Sequence, residues 1–94
     1  MTGGMDKRIL FSNHAKIKMA DRGAFEDEVI KAIKEGSSEP SRKGRLLFRK
    51  NFPFNSMWRG KHYPIKQIAP VVADENDKVV VITVYVYYFG SSGK

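Results

Sequence analysis

Five side chains in this 94-residue chain are of the types that break an RNA phosphodiester without a metal: Arg49, Lys66, Tyr85, Tyr87 and His14. Such a cleavage needs a group to take the 2′-hydroxyl proton, a cation over the scissile phosphate and a proton donor for the leaving 5′ oxygen. Arg49 is the candidate for stabilising the pentavalent phosphate. Lys66 would add positive charge or accept a proton, and Tyr85 or Tyr87 would orient or protonate the leaving group. His14 is the reserve base, histidine being the side chain that ordinarily titrates near neutrality. Each also has a plainer reading. Tyrosines often do no more than cover an open sheet face, and a histidine near a helix start equally suits capping or packing.

Alternation along strands is what would bring these groups together. Between Val79 and Phe89, Val80, Ile82, Val84, Val86 and Tyr88 alternate toward one face, which we assign to the core. That leaves Thr83, Tyr85 and Tyr87 on the opposite face, shared with Arg45 and Arg49. Lys66 has the parity of Ile68 and Val72, so it joins this face only if a bulge near Pro70 shifts the register.

The chain carries 17 Lys and Arg against 10 Asp and Glu, a formal charge of +7, and the excess is local. The acids stop at Glu39 and resume at Asp74. Between them lie Arg42, Lys43, Arg45, Arg49, Lys50, Arg59, Lys61 and Lys66, so this block holds eight positive charges while the remainder nets −1. Phe48, Phe52, Phe54, Trp58 and Tyr63 are interleaved with it, and cations with exposed rings neutralise phosphates and stack bases. Arg42, Lys43, Arg45, Lys50, Trp58, Arg59 and Lys61 are accordingly candidate nucleic-acid contacts. The block also reads as a groove for an acidic protein, and the plainer alternative is a solvated hairpin face, with Trp58 merely anchoring a loop.

The elements that must position these residues follow from period and punctuation. Ser12 or Asn13 caps a helix running to about Asp21, with Ala15, Ile17, Met19 and Ala20 as its apolar face and Gly23 as its stop. A second helix runs from about Glu26 to Glu35, with three acids at its positive end, Phe25, Val29, Ile30 and Ile33 at helical spacing, and Gly36 as C-terminal cap. Arg22 suits the first helix's C-terminal dipole, or a bridge to a carboxylate of the second helix. From Arg45 the period changes to two, with Leu46, Phe48 and Phe52 on one side and Arg45, Leu47, Arg49 and Asn51 on the other. Pro53 to His62 reads as a connecting loop, and Tyr63 to Ala73 as a strand that Pro70 places at an edge or a bulge. Val79 to Phe89, rich in β-branched and aromatic residues, predicts a strand interior to the sheet. The fold class is α+β, with both N-terminal helices packed on one face of a three- to four-stranded antiparallel sheet. Residues 1–94 form a single domain, with an ordered core from about 9 to 89 and loose ends at Met1 to Lys7 and Gly90 to Lys94.

Several chemistries are excluded. The chain has no Cys, hence no disulfide, thiol catalyst or thiolate zinc site. The two His stand 48 positions apart, and Asp74, Glu75 and Asp77 lack calcium-loop spacing, so neither a metal nor any other cofactor is expected. No glycine motif cradles a nucleotide phosphate. Without a signal-peptide stretch or a membrane-length apolar run, the expected setting is cytoplasmic, with no membrane partner.

The segment from His14 through Arg22-Gly23, followed by Glu28-Val29-Ile30 and the terminal Val81-Ile82-Thr83-Val84-Tyr85, resembles a family of small uncharacterised bacterial domains. That family is similar in turn to the RelE/ParE toxin superfamily, with two N-terminal helices on an antiparallel sheet and a branch that cleaves RNA without metal. The resemblance covers about Phe11 to Phe89. It implies a metal-independent endoribonuclease of a toxin–antitoxin pair, acting on RNA or ribosome-bound mRNA and silenced by an acidic antitoxin. Under it, Arg49 and Lys66 take strand positions of the active site and Tyr85 or Tyr87 the late tyrosine. Two other functions fit the same residues: a non-catalytic nucleic-acid-binding module, and a protein-interaction domain whose basic groove accepts an acidic partner.

Overall fold

A computed structural model describes residues 7–90, so the expected loose ends fall, except for Lys7 and Gly90, outside the described residues. In chain order the elements are β1 (Arg8–Phe11), α1 (Asn13–Arg22), α2 (Glu26–Glu35), β2 (Ser37–Pro40), a short 3-10 turn (Arg42–Gly44), β3 (Leu46–Trp58), β4 (Lys61–Asp74) and β5 (Lys78–Phe89). The strands form one sheet in the order β1-β5-β4-β3-β2. β1 runs parallel to β5, and every other neighbour is antiparallel. The class is α+β as expected, but the sheet has five strands and is mixed. The additional strands are the two edges, each of four residues. Their brevity leaves no period to read. β2, Ser-Ser-Glu-Pro, has the composition of a loop and pairs only because β3 presents a backbone edge to it.

The segment 53–62, expected to be a loop, is the end of a long hairpin. β3 and β4 pair out to Trp58 and Lys61, and only Arg59 and Gly60 turn the chain. Both have positive φ, 52° and 84°, which suits a two-residue turn whose twist matches the strands. A register shift between Pro53 and Ser56, with Asn55 at φ 42°, accommodates the residues that looked like strand breakers.

Pro70 lies in β4, the middle strand of the sheet, beside a bulge rather than at an edge. The β3–β4 ladder is interrupted between Leu47–Val71 and Lys50–Ile68, where proline has no N–H to donate. Opposite Val71 and Val72 stand Thr83 and Val81, so Ile82 is an extra residue in β5. One extra residue reverses the alternation. Val79 and Val81 are therefore buried ahead of the bulge and Val84 after it, whereas Val80 and Ile82 stay outside the core. The expected core row was right only from Val84 onward, which is why Tyr85 and Tyr87 still face outward.

Both helices cover one sheet face. Ala15 and Met19 of α1, Ala24 of the junction and Val29, Ala32 and Ile33 of α2 form one core with Phe48, Ile68, Val72, Val79, Val81 and Val84. Ile17 and Phe25, expected in the apolar faces, are 65% and 67% exposed, and Ala20 is exposed too. Ser12 fastens the start of α1 to β5. Its Oγ accepts from Ala15 N and donates to Ile82 O, and its N–H donates to Val81 O.

The junction between the helices closes on Lys66. Gly23 ends α1 at φ 80°, and a Cβ there would stand 2.8 Å from both Trp58 and the Tyr88 hydroxyl. Arg22 O accepts from the Tyr88 hydroxyl at 2.8 Å, and Gly23 O from Lys66 Nζ. Lys66, 3% exposed, also pairs with Glu28 at 3.0 Å and lies over the rings of Phe25 and Phe54. The expectation that Lys66 shares a face with Arg49 is thus corrected. The extra residue lies in β5, opposite Val71 and Val72, so Lys66 keeps its parity with Ile68.

A buried ammonium with two oxygen partners contributes to stability mainly through the penalty for removing it. Lys66→Ala is expected to lower the unfolding free energy by about 3 kcal/mol or more, and Lys66→Met, which keeps the packing of the stem, by less. Urea midpoints followed by circular dichroism test this. Equal midpoints for Lys66→Ala and the parent chain would refute the role.

Candidate functional site

The uncovered face of the sheet carries the remaining candidates. Leu47, Val71 and Thr83 stand in one row across β3, β4 and β5, and Asn51, Gln67 and Tyr87 in another. Between these rows Tyr85 stands opposite Ala69, which is fully buried. Where this face meets the turn after β2, a groove of about 480 Å³ is lined by Ser41, Arg42, Arg45, Leu47, Val71, Ile82, Thr83, Tyr85 and Tyr87. Tyr85 and Tyr87 project as near-parallel rings, 17° apart in plane. The sequence thus correctly placed Arg45, Thr83 and both tyrosines together.

Arg49 reaches the same face, but its guanidinium is engaged. It donates to Gln67 Oε1 at 3.1 Å and pairs with Glu39 at 3.3 Å, while Gln67 Nε2 donates to Asn51 Oδ1 at 2.9 Å. Arg49 does not line the groove. Arg42 and Arg45 do, and among the described residues neither is within ion-pair distance of a carboxylate.

The basic block is less uniform in space than along the chain. Carboxylates of the helices and of β2 fold back onto half of it: Glu39 on Arg49, Glu35 on Lys50, Asp21 on Arg59 and Glu28 on Lys66. Lys50 is consequently directed to α2, on the helix-covered side. Lys43 is exposed in the turn at φ 59°, beside the groove-lining Arg42. Lys61, next to the hairpin turn, lies over the Tyr63 ring. His14 is exposed in the first turn of α1 and does not line the groove.

Trp58 and Arg59 belong to a second, smaller pocket of about 230 Å³, with Asp21, Arg22, Val86 and Tyr88. Trp58 stacks on Tyr88, centroids 4.9 Å apart and planes 18° apart, and Arg59 lies over Trp58 at 5.0 Å. Arg59 also donates to Asp21 O at 2.9 Å, so this corner ties the hairpin end to α1. Arg22 does not bridge to a carboxylate of α2. Its Nη1 donates to Val84 O at 2.9 Å, at the edge of β5 beyond the reach of β1, and its guanidinium lies over Tyr85 at 5.3 Å.

Tyr88, Gln67 and Ile82 are the contributors that sequence reasoning missed. Tyr88 read as one more core residue. Its hydroxyl pKa is raised by burial, and further by Glu28, against the opposing pull of Arg59. The signal was the Tyr at the end of an apolar row, since a buried phenol needs a hydrogen-bond acceptor. Among the described residues no group of three His, Asp or Glu could hold a metal ion, and no helix is long and apolar enough to cross a membrane.

The chain matches the family model "Domain of unknown function (DUF4258)" over residues 11–86. That span takes in both helices, Lys66 with its partners Gly23 and Glu28, and every groove residue except Tyr87. No curated protein and no solved structure matches the chain.

A phenol whose folded pKa is raised binds its proton more tightly folded than unfolded. Its contribution to stability is therefore complete below the ordinary tyrosine value of about 10 and is lost as pH rises through the folded value. Relative to Tyr88→Phe, the parent chain is expected to lose unfolding free energy more steeply above pH of about 10, measured by urea titration at a series of pH values. Parallel profiles would refute the Tyr88 assignment.

Proposed function

The chain belongs to the DUF4258 domain family, and from that premise we propose that it is a toxin-like, metal-independent endoribonuclease related to the RelE/ParE superfamily. Its substrate is single-stranded RNA, free or ribosome-bound, in a cytoplasmic setting. An acidic antitoxin covering the basic groove would silence it. The observation that carries the reading is that Arg42, Arg45, Thr83, Tyr85 and Tyr87 line one groove.

The chemistry divides among these groups by type. Arg45 and Arg42, without carboxylate partners among the described residues, offer positive charge to a phosphate, where preorganised cations favour the pentavalent state. Tyr85 and Tyr87 supply the O–H groups for the leaving 5′ oxygen. Arg49 acts as a positioning residue, since its guanidinium holds Gln67 and would have to leave Glu39 to reach a phosphate.

A second reading is favoured by a specific observation: no His, Asp or Glu lines the groove to take the 2′-hydroxyl proton. On that reading the face binds RNA without cleaving it. An assay of RNA cleavage in excess chelator, with and without ribosomes, separates the two. Arg45→Ala, Tyr85→Phe and Tyr87→Phe are each expected to slow cleavage by about a hundredfold, with His14→Ala unchanged. Activity abolished by the chelator, or intact in all three groove variants, would sink the nuclease mechanism, whereas binding without cleavage would establish the second reading.

Salt dependence checks the charge assignment. Three phosphate contacts from Arg42, Lys43 and Arg45 predict a slope of log K against log salt of about −2 for a single strand. Arg45→Glu should flatten it and Lys50→Glu should not.

A further inference from the structure

We propose that Tyr85 and Tyr87 form a two-walled slot that takes one unpaired nucleobase of a single-stranded RNA. This rests on the reading of the open face as RNA-directed. Two stacked ring pairs in the same protein make the argument. Trp58 and Tyr88 are closed, with centroids 4.9 Å apart and planes 18° apart. Tyr85 and Tyr87 are as nearly parallel, at 17°, but their centroids stand 6.5 Å apart. Stacked bases lie about 3.4 Å apart, so one flat ring between two others needs about 6.8 Å. The tyrosine centroids stand just short of that, so a small parting of the two rings admits a base, and both are exposed enough to part, at 41% and 45%.

One wall is held in place, and the other stands beside a fixed amide. Tyr85 is backed by the Arg22 guanidinium at 5.3 Å, itself anchored on Val84 O. Tyr87 stands opposite Gln67, whose amide is fixed between Arg49 and Asn51. Each end of that amide has one hydrogen-bonding position beyond these contacts, a donor and an acceptor for the edge of a base. The Arg42 and Arg45 groove continues from the slot and suits the phosphates on either side of the held nucleotide. A preorganised slot binds without the ordering cost of loose side chains.

A sandwich differs from two separate stacking platforms in how its walls couple. The test titrates the protein into a short uridine-rich RNA carrying one 2-aminopurine, whose fluorescence falls when the base stacks. Tyr85→Ala or Tyr87→Ala alone is expected to weaken binding by about 5- to 100-fold, and the double exchange by little more than either, since one wall makes no slot. Tyr85→Phe and Tyr87→Phe keep the walls and should keep the affinity even where cleavage is lost. Losses that multiply in the double variant would overturn the slot and leave two independent platforms. Binding that the tyrosine exchanges do not touch but Arg45→Glu abolishes would overturn the slot while keeping the RNA reading. No binding of this RNA by the parent chain would overturn both.

Discussion

The ammonium of Lys66 is where the helical layer and the long hairpin meet. It arrives from the middle strand on the covered side of the sheet and finds the last carbonyl of the α1 turn, the carboxylate of Glu28 near the start of α2 and the rings of Phe25 and Phe54. A charge this buried is tolerated only with such partners. Satisfying it therefore dictates where α1 must stop and where α2 must begin. Glu28 also accepts from the Phe25 N–H at 3.0 Å, so one carboxylate serves both the start of its own helix and the strand beneath. The Arg22-Gly23 turn completes the joint, because Gly23 offers its carbonyl to Lys66 and leaves room for Trp58 where a side chain would collide.

That joint divides the molecule's polar chemistry between two faces. Lys66, Lys50 and Arg59 are committed to carboxylates of the helices, and their role is to hold layers together. Arg42 and Arg45 stay on the open face, beside hydroxyls rather than acids. Arg22 works at the boundary, its backbone oxygen held by Tyr88 on the helix side and its guanidinium reaching round the β5 edge to Tyr85. The alignment of Tyr85 on the open face is thereby tied to the same helix end that receives Lys66.

The β5 bulge decides what that open face contains. If Ile82 paired in the ladder instead of bulging out of it, the row that buries Val79 and Val81 would continue through Thr83, Tyr85 and Tyr87, and both tyrosines would enter the core. Pro70 stands next to the site of this shift and interrupts the ladder on its other side. One proline and one inserted residue thus convert a uniformly apolar strand into one with two different faces. The groove lined by Arg42, Arg45, Tyr85 and Tyr87 follows from the conversion.

Much of this was legible from residue order. Two helices with their stops, the strand character of 79–89, the shared face of Arg45, Thr83, Tyr85 and Tyr87 and the basic bias of 40–73 all follow from local period, capping and composition, which neighbouring residues determine among themselves. The edge strands, the parallel pairing of β1 and the hairpin through 53–62 were not legible. Four residues carry no period, and a proline or an Asn reads as a breaker until a partner strand accommodates its bulge. Nor could the sequence separate cations left without a carboxylate partner from those committed to one. An ion pair such as Lys66 with Glu28 or Arg49 with Glu39 forms between segments that only the fold brings together, so the charge free to meet a ligand is a property of the tertiary structure.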